Sequence, residues 1–170
     1  KINLGLDLQW GSYLLLEIDN KPIEVKKLQN TTTFIRNYFK KENISFTDLK
    51  IFNKSILFKI PQSNVEKVSS LFLDEESEIN PYLNQYKSHQ FDLTITNNEF
   101  ELKFSKYGLI EIKNSSQDQA IEIVRRRVDE VGTNEPNILK RGNDRILVEL
   151  PGLDDPMRIK SLLGKTANLT

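Results

Sequence analysis

The stretch at residues 5–19 reads GLDLQWGSYLLLEID. Its apolar-rich part, 12–18, lies between Gly11 and the turn-prone cluster at 19–22. A short apolar run between turn residues is typical of a strand with both faces largely buried. The segment therefore predicts a buried strand followed by a turn.

The next stretch has apolar spacing of a different kind. Between residues 23 and 42, positions with a low-polarity side chain recur at steps of three and four: Val25, Leu28, Thr32, Ile35 and Phe39. This spacing places them on one face of a helix. We expect that helix to pack on a sheet.

Two hairpins are predicted further along the chain. Apolar and polar residues alternate over 49–60, around a turn at 53–55, and again over 91–104, around a turn at 97–98. Alternation interrupted by short turn sequences is typical of paired antiparallel strands. Between the hairpins, Ser63 and Glu66 have the spacing of a capping box, which predicts the start of a second helix.

The C-terminal third repeats this order of elements. Ser116 and Gln119 have capping-box spacing, and the apolar positions after them predict a helix that ends at Gly132. Two strands are expected at 137–140 and 145–150, with a turn at 142–144. A short helix capped by Asp155 and a last strand near 167–169 complete the pattern.

Strand, helix, two strands, helix, strand thus occurs twice. This is the order of the ferredoxin-like split βαβ fold. The sequence predicts an α+β fold of two tandem ferredoxin-like βαββαβ units with antiparallel sheets and helices on one face. We place the first unit at 1–105 and the second at 106–170.

Composition excludes several classes of function. The 24 basic and 24 acidic residues cancel, so no field of one sign attracts nucleic acid or anionic lipid. Cysteine is absent, which excludes disulfides, thiolate nucleophiles and Cys-based zinc sites. No run approaches the roughly 20 apolar residues of a membrane helix. We expect the segment to lie outside the membrane and, since it begins at Lys1 without a signal pattern, to be part of a longer protein.

The residues that could carry chemistry have simpler interpretations. Consecutive helical arginines at 125–127 point about 100° apart, which favours a solvated helix face over a phosphate site. Asp154 and Asp155 could bind a hard cation, but Asp155 before Pro156 is typical of a helix cap. His89 has neither Cys nor a second His to form a metal site and is interpreted as a surface residue.

No phosphate loop, dinucleotide fingerprint or nucleophile elbow is present. We predict no enzyme activity, no catalytic residue, no metal and no cofactor. Two alternatives stay open at this point. One is a stand-alone ferredoxin-like module that binds a small molecule or RNA, although the aromatic signature of RNA-binding domains is missing around Phe100 and Phe104. The other is a hydrolase that uses Asp154 or Asp155.

Two segments resemble the SecD family of protein-export membrane proteins. Residues 5–19 resemble the family signature GLDL, Arg or Gln, Gly-Gly, LLLEVD. Residues 125–170 are similar to the later signature nearly throughout, in RRRVDEVGTNEP, KRGNDRILVELPGLDDP and IKSLLGKTANL. The family-motif residues, to which we assign structural roles, are Gly5, Asp7, Gln9, Gly11, Arg127, Gly132, Glu135, Pro136, Gly142, Arg145, Pro151, Gly152 and Gly164.

The resemblance implies a bacterial inner-membrane protein that acts with SecF and the SecYEG translocon on exported polypeptides, using the proton-motive force. It implies that this chain is the periplasmic base of the first extracytoplasmic domain and leads into a missing head subdomain. A base of this kind transmits movement. We expect no nucleic-acid partner, because the charges cancel, and no direct small-molecule ligand.

Trp10 departs from the family signature, which usually has the first glycine of a pair at this position. Glycine would permit a positive φ or a close backbone approach, whereas Trp adds a large apolar surface. One interpretation is a tolerated substitution whose indole packs on a neighbouring element. The other is an apolar contact for polypeptide, membrane surface or a partner.

Overall fold

The computed structural model describes residues 3–8, 13–130, 135–151 and 161, with residues 3–8 described by their backbone alone. The strands are β1 (Asn3–Leu8), β2 (Tyr13–Asp19), β3 (Thr47–Phe52), β4 (Ser55–Lys59), β5 (Tyr82–Leu83), β6 (Ser88–His89), β7 (Phe91–Thr96), β8 (Glu99–Phe104), β9 (Asn137–Arg141) and β10 (Arg145–Glu149). The helices are α1 (Lys21–Lys41), α2 (Val65–Leu73) and α3 (Lys106–Glu130). A single 3-10 turn, Gln62–Asn64, precedes α2.

The described chain forms two compact units. Unit 1 contains the described residues up to Ile23 and those from Glu111 onward, and unit 2 is Glu24–Ile110. The sequence prediction has one boundary, at 105/106. The compact units have two, because β2 pairs with β10 and so joins the beginning of the chain to its last third.

Unit 1 has one antiparallel sheet in the order β1-β2-β10-β9. Leu14 lies opposite Val148 and Leu16 opposite Ile146, so the buried residues of the two central strands share one face. That face is covered by a helix stripe from α3. Its buried members are Ala120, Val124 and Val128. The predicted strands and the helical stripe are confirmed here.

Unit 2 has a second antiparallel sheet, in the order β3-β4-β8-β7. Its core is aromatic: the Phe58 and Phe100 rings stack with centroids 5.1 Å apart, and Phe39 of α1 and Phe72 of α2 pack edge-on or tilted against Phe58. Both predicted hairpins and the helix α1 are confirmed. Val25, which the apolar spacing assigned to the buried face of α1, is 52% exposed because it precedes Leu28, the first α1 residue in this core.

The α+β class with antiparallel sheets is confirmed. Three strands of each described sheet and one helix follow the chain order strand, helix, strand, strand. They are β2, α3, β9 and β10 in unit 1, and β4, α2, β7 and β8 in unit 2. In both, the last strand lies between the other two, as in a split βαβ. The remaining edge position is held by the preceding hairpin strand, β1 or β3. In a ferredoxin-like unit this edge is occupied by the last strand, which follows a second helix. In the described sheets the edge strand instead comes before the other three in the chain.

Two predicted capping boxes are wrong. Helix α3 begins at Lys106, and the Ser105 hydroxyl caps it by accepting a hydrogen bond from the Gly108 amide at 3.0 Å. Ser116 lies inside that helix and donates to the Ile112 carbonyl at 2.7 Å, an alternative that serine has in any helix. Ser63 lies in the 3-10 turn before α2, and the N-cap residue Asn64 makes no side-chain capping bond.

Candidate functional site

The two signature segments meet in one sheet. Residues 5–19 supply part of β1 and all of β2, and the later signature supplies β9, β10 and the end of α3. Strands β2 and β10 pair directly over five positions, from Tyr13 opposite Glu149 to Glu17 opposite Arg145. The sequence signature, although split along the chain, is therefore continuous in space.

The motif residues in the described strands and helix lie at element ends or on sheet positions. Gly5 and Asp7 lie on β1, opposite Glu17 and Leu15. Arg127 lies in the last turn of α3, where its Nη1 is 3.3 Å from Oε2 of Glu130.

The other described motif residues flank β9 and β10. Glu135 and Pro136 directly precede β9, Pro151 follows β10, and Arg145 is the first residue of β10. Gly142 lies in the intervening turn with a φ of 59°, a left-handed backbone conformation that glycine adopts without steric cost. The remaining candidates lie outside the described residues: Gln9, Trp10, Gly11, Gly132, Gly152, Gly164, Asp154 and Asp155.

Gln117 of α3 holds the turn between β9 and β10 against that helix, and the sequence pattern did not reveal this role. Its side chain is buried, and Nε2 donates to the carbonyl oxygens of Gly142 at 3.0 Å and Arg145 at 2.8 Å. On the other side, the Ile18 amide donates to the Asp144 carbonyl at 2.8 Å. The clue is positional, because Gln117 stands three residues before Ala120 on the buried stripe of α3.

We expect Gln117→Leu to destabilise the chain by about 1–2 kcal/mol, because it removes the two hydrogen bonds that the buried Gln117 carboxamide donates to the Gly142 and Arg145 carbonyl oxygens. Urea unfolding would measure this. The matched control is the neighbouring Asp118→Ala, which removes an exposed ion pair with Lys140 and should cost about 0.5 kcal/mol or less. Equal effects of the two substitutions would contradict the assigned role of Gln117.

The face of the unit 1 sheet opposite α3 has an apolar centre. Leu15, Leu147 and Leu139 lie side by side across β2, β10 and β9, and Leu139 is 45% exposed. The cross-strand row Tyr13, Glu149 and Asn137 borders this centre. The negative charge of Glu149 and the hydrogen bond between the Tyr13 and Glu149 side chains raise the pKa of Tyr13. This face can make apolar contacts.

The charged candidates do not form a chemical site within the described ranges. Arg125 and Arg126 are exposed, as expected for a solvated helix face. His89 is half-buried rather than on the open surface, since its Nε2 lies 2.8 Å from the Asp74 carbonyl oxygen and its ring contacts Tyr82 edge-on. Among the described residues no group of three or more His, Cys, Asp or Glu side chains is placed to hold a metal ion.

None of the described helices has the length and apolar composition that crossing a membrane requires.

Comparisons with known proteins extend the sequence resemblance. The family model described as "Protein translocase subunit SecDF, P1 domain, N-terminal" matches residues 117–170. The protein translocase subunit SecD of Rickettsia bellii is 34% identical over 169 residues, which is 99% of this chain and 30% of that protein. The SecD of Acetobacter pasteurianus is 34% identical over 182 residues, which is 100% of this chain and 32% of that protein.

Further relatives agree. The SecD of Magnetococcus marinus is 33% identical over 170 residues, 99% of this chain and 30% of that protein. The chain spans about 30% of the length of the curated relatives it matches. No solved structure matches it. From the paired signature strands, the P1 model and these relatives we conclude that the chain belongs to the SecD family of protein translocase subunits.

Proposed function

We propose that this chain is the periplasmic base of a SecD protein in a bacterial inner membrane and assists the translocation of exported polypeptides. The observation that carries the proposal is the direct pairing of β2 with β10, which unites both SecD signatures in one sheet. The relatives that match nearly the whole chain are named protein translocase subunit SecD. As parts of the same proposal, the complete protein acts in a SecDF complex beside the SecYEG translocon and uses the proton-motive force.

A mechanical role suits the contacts of unit 1. The sheet is packed on α3 by a continuous apolar core, and Gln117 ties the β9–β10 turn to that helix. Close-packed interiors have low compressibility and transmit displacement. In this proposal unit 1 transmits the movement of other parts of the protein and performs no bond chemistry.

Export by inner-membrane vesicles tests the proposal. Vesicles that lack the complete protein, vesicles that contain it and vesicles whose proton gradient is dissipated are compared for the amount of preprotein that becomes protected from protease. We expect the complete protein to increase protected preprotein and the increase to need the gradient. Equal export with and without the protein would overturn the proposed function. Equal stimulation after the gradient is dissipated would overturn the proton-motive part alone.

The proposed partners have their own measurement. The complete protein, solubilised in mild detergent, should copurify with SecF and with the SecYEG translocon. If neither SecF nor SecYEG copurified with the complete protein, the proposed assembly would be wrong even if export were stimulated.

A further inference from the structure

The face of the unit 1 sheet opposite α3 is organised in three cross-strand rows, and we call this surface the leucine face. The rows follow from the register, in which β10 pairs with β2 on one side and with β9 on the other. Alternate residues of a strand point to the same side, so every second position contributes. In the order β2, β10, β9, the rows are Tyr13, Glu149 and Asn137; Leu15, Leu147 and Leu139; and Glu17, Arg145 and Arg141.

The middle row is apolar and is only partly covered. Leu139 is 45% exposed, and Leu15 and Leu147 are partly buried. Asp7 of β1 lies opposite Leu15, so the apolar part of the row is three strands wide. An exposed apolar patch with a polar border is typical of a surface that contacts another protein.

The two outer rows carry charges that have no ionic partner in the chain. Arg145 lies directly opposite Arg141 in one row, with Glu17 on its other side, and Glu149 belongs to the other row. Within the described part of the chain, none of these four side chains forms an ion pair. Like charges directly opposite across two strands are unfavourable, so the arginines would gain from an acidic partner outside the chain.

The four charges also restrict the kind of partner. Two are basic and two are acidic, so the leucine face has no surplus of cations for nucleic acid or anionic lipid. The arginine row and Glu149 are four residues apart along β10, which is about 13 Å in a strand. A partner that fits must therefore present an apolar centre with an acidic group on one side and basic groups on the other.

A second copy of the leucine face has this pattern. Rotation of the copy by 180° about an axis along the leucine row places each leucine over its equivalent and the arginine row over the row that contains Glu149. Arg145 of each copy then faces Glu149 of the other, and Arg141 and Glu17 face uncharged side chains. Face-to-face sheets keep their strand directions within about 30° of each other, which this rotation allows.

The other twofold arrangement is unfavourable. An axis along β10 would place Arg145 over Arg145 of the second copy and Glu149 over its own equivalent. Both contacts would be between like charges, which cost free energy at an interface. The distribution of charge thus selects the axis along the leucine row.

We propose that two copies of this chain associate through the leucine face, about a twofold axis along the leucine row, with Arg145 of each copy paired with Glu149 of the other. Such a dimer is closed, because both copies use the same surface. Three strands about 4.8 Å apart and five residues about 3.3 Å apart give a patch of roughly 15 by 15 Å. Stable complexes bury about 800 Å² per partner, so we expect a weak, reversible dimer.

Cross-linking of the complete protein in membrane vesicles tests the contact. The chain contains no cysteine, so Leu147→Cys introduces one thiol here, and any cysteine elsewhere in the complete protein is replaced by serine. Packed sheets are about 10 Å apart, beyond the roughly 7 Å between Cα atoms that a disulfide spans, so a short bismaleimide is the reagent. We expect a product of twice the mass of the protein.

Arg126→Cys is the matched control, because Arg126 is exposed on α3, on the other side of the sheet. It should give no dimer above background. Absence of a dimer with Leu147→Cys, or equal cross-linking of the two variants, overturns the proposal. A product that joins Leu147→Cys to a different protein, identified by mass spectrometry, overturns it as well, since another partner would then cover the leucine face.

Charge reversal tests the arrangement of the two copies. In the Leu147→Cys protein, Arg145→Glu should reduce the cross-linked fraction at least about fivefold, because it replaces both symmetry-related ion pairs with repulsion. Adding Glu149→Arg should restore cross-linking, since the exchanged charges face each other again across the axis. Cross-linking that does not respond to Arg145→Glu, or that the second substitution does not restore, overturns the proposed pairing.

Discussion

Asn80→Asp should destabilise unit 2 by about 3 kcal/mol or more. Asn80 is completely buried, and its Nδ2 is the donor shared by the Phe72 and Phe91 carbonyls. The substitution is nearly isosteric, but it replaces this donor with a carboxylate oxygen about as close to the same two carbonyl oxygens. Both carbonyls lose a partner, and a negative charge is buried beside their partial negative charges. Urea unfolding of the variant and the unaltered chain measures the difference.

The penalty should depend on pH in a defined direction. Burial beside two carbonyl oxygens raises the pKa of the introduced carboxyl in the folded state above its unfolded value of about 3.9. The unfolded state then releases its proton first as pH rises, so the penalty is small below that value and grows toward pH 7. The measured difference in unfolding free energy should therefore shrink when pH is lowered from about 7 to about 4.

Asn84→Asp is the control for this experiment. Asn84 lies in the same segment but is exposed, so its substitution should change stability by about 0.5 kcal/mol or less at either pH. A comparable loss in both variants, or a penalty at position 80 that does not vary with pH, would show that the Asn80 amide is not the donor described.

Phe58→Ala should cost about 3–5 kcal/mol, as expected when a fully buried phenylalanine is truncated. Phe58 is 0% exposed and contacts the rings of Phe39, Phe72 and Phe100, with centroid distances of 5.4, 5.6 and 5.1 Å. These rings come from two helices and a neighbouring strand. The substitution removes the Phe58 ring from among them and leaves a cavity that the close-packed neighbours fill only in part.

Phe52→Ala gives the matched comparison, since it deletes the same side chain from the other strand of the β3–β4 hairpin, where it is 65% exposed. It should cost about 0.5 kcal/mol or less. Hydrogen exchange would locate the loss. The cores of the two units share no residue, so amides of β4 and β8 should lose more protection than those of β2 and β10. A uniform loss across both sheets would contradict this expectation.

Local spacing predicted most individual elements. Strand β2, helix α1 and the hairpins β3–β4, β7–β8 and β9–β10 follow from period-two or helical spacing interrupted by turn residues, because side-chain direction repeats with the backbone. The β3–β4 turn is also local: Asn53 and Lys54 both have positive φ, as a tight hairpin turn requires. The resemblance to SecD signatures likewise needed only the order of residues, and the relatives that match the chain confirm it.

The helix starts were harder to predict. The serine that caps α3 is Ser105, whose hydroxyl also donates to the His89 carbonyl at 2.6 Å, a contact that brings together distant parts of the chain. Ser116 has the expected sequence spacing yet lies inside the helix. A hydroxyl can satisfy the end of a helix or bond back within it, so spacing alone does not distinguish the two.

By itself, the sequence determined the α+β class, the individual hairpins and the SecD resemblance, since each depends on short-range periodicity or on matched residues. Tertiary structure decided which strands share a sheet, because the pairing of Leu16 with Ile146 depends on burying both against α3. It also decided the roles of Gln117 and Asn80, two polar residues whose hydrogen-bond partners no local spacing reveals. Their importance comes from burial and from backbone groups far along the chain, which only the folded protein brings within hydrogen-bonding distance.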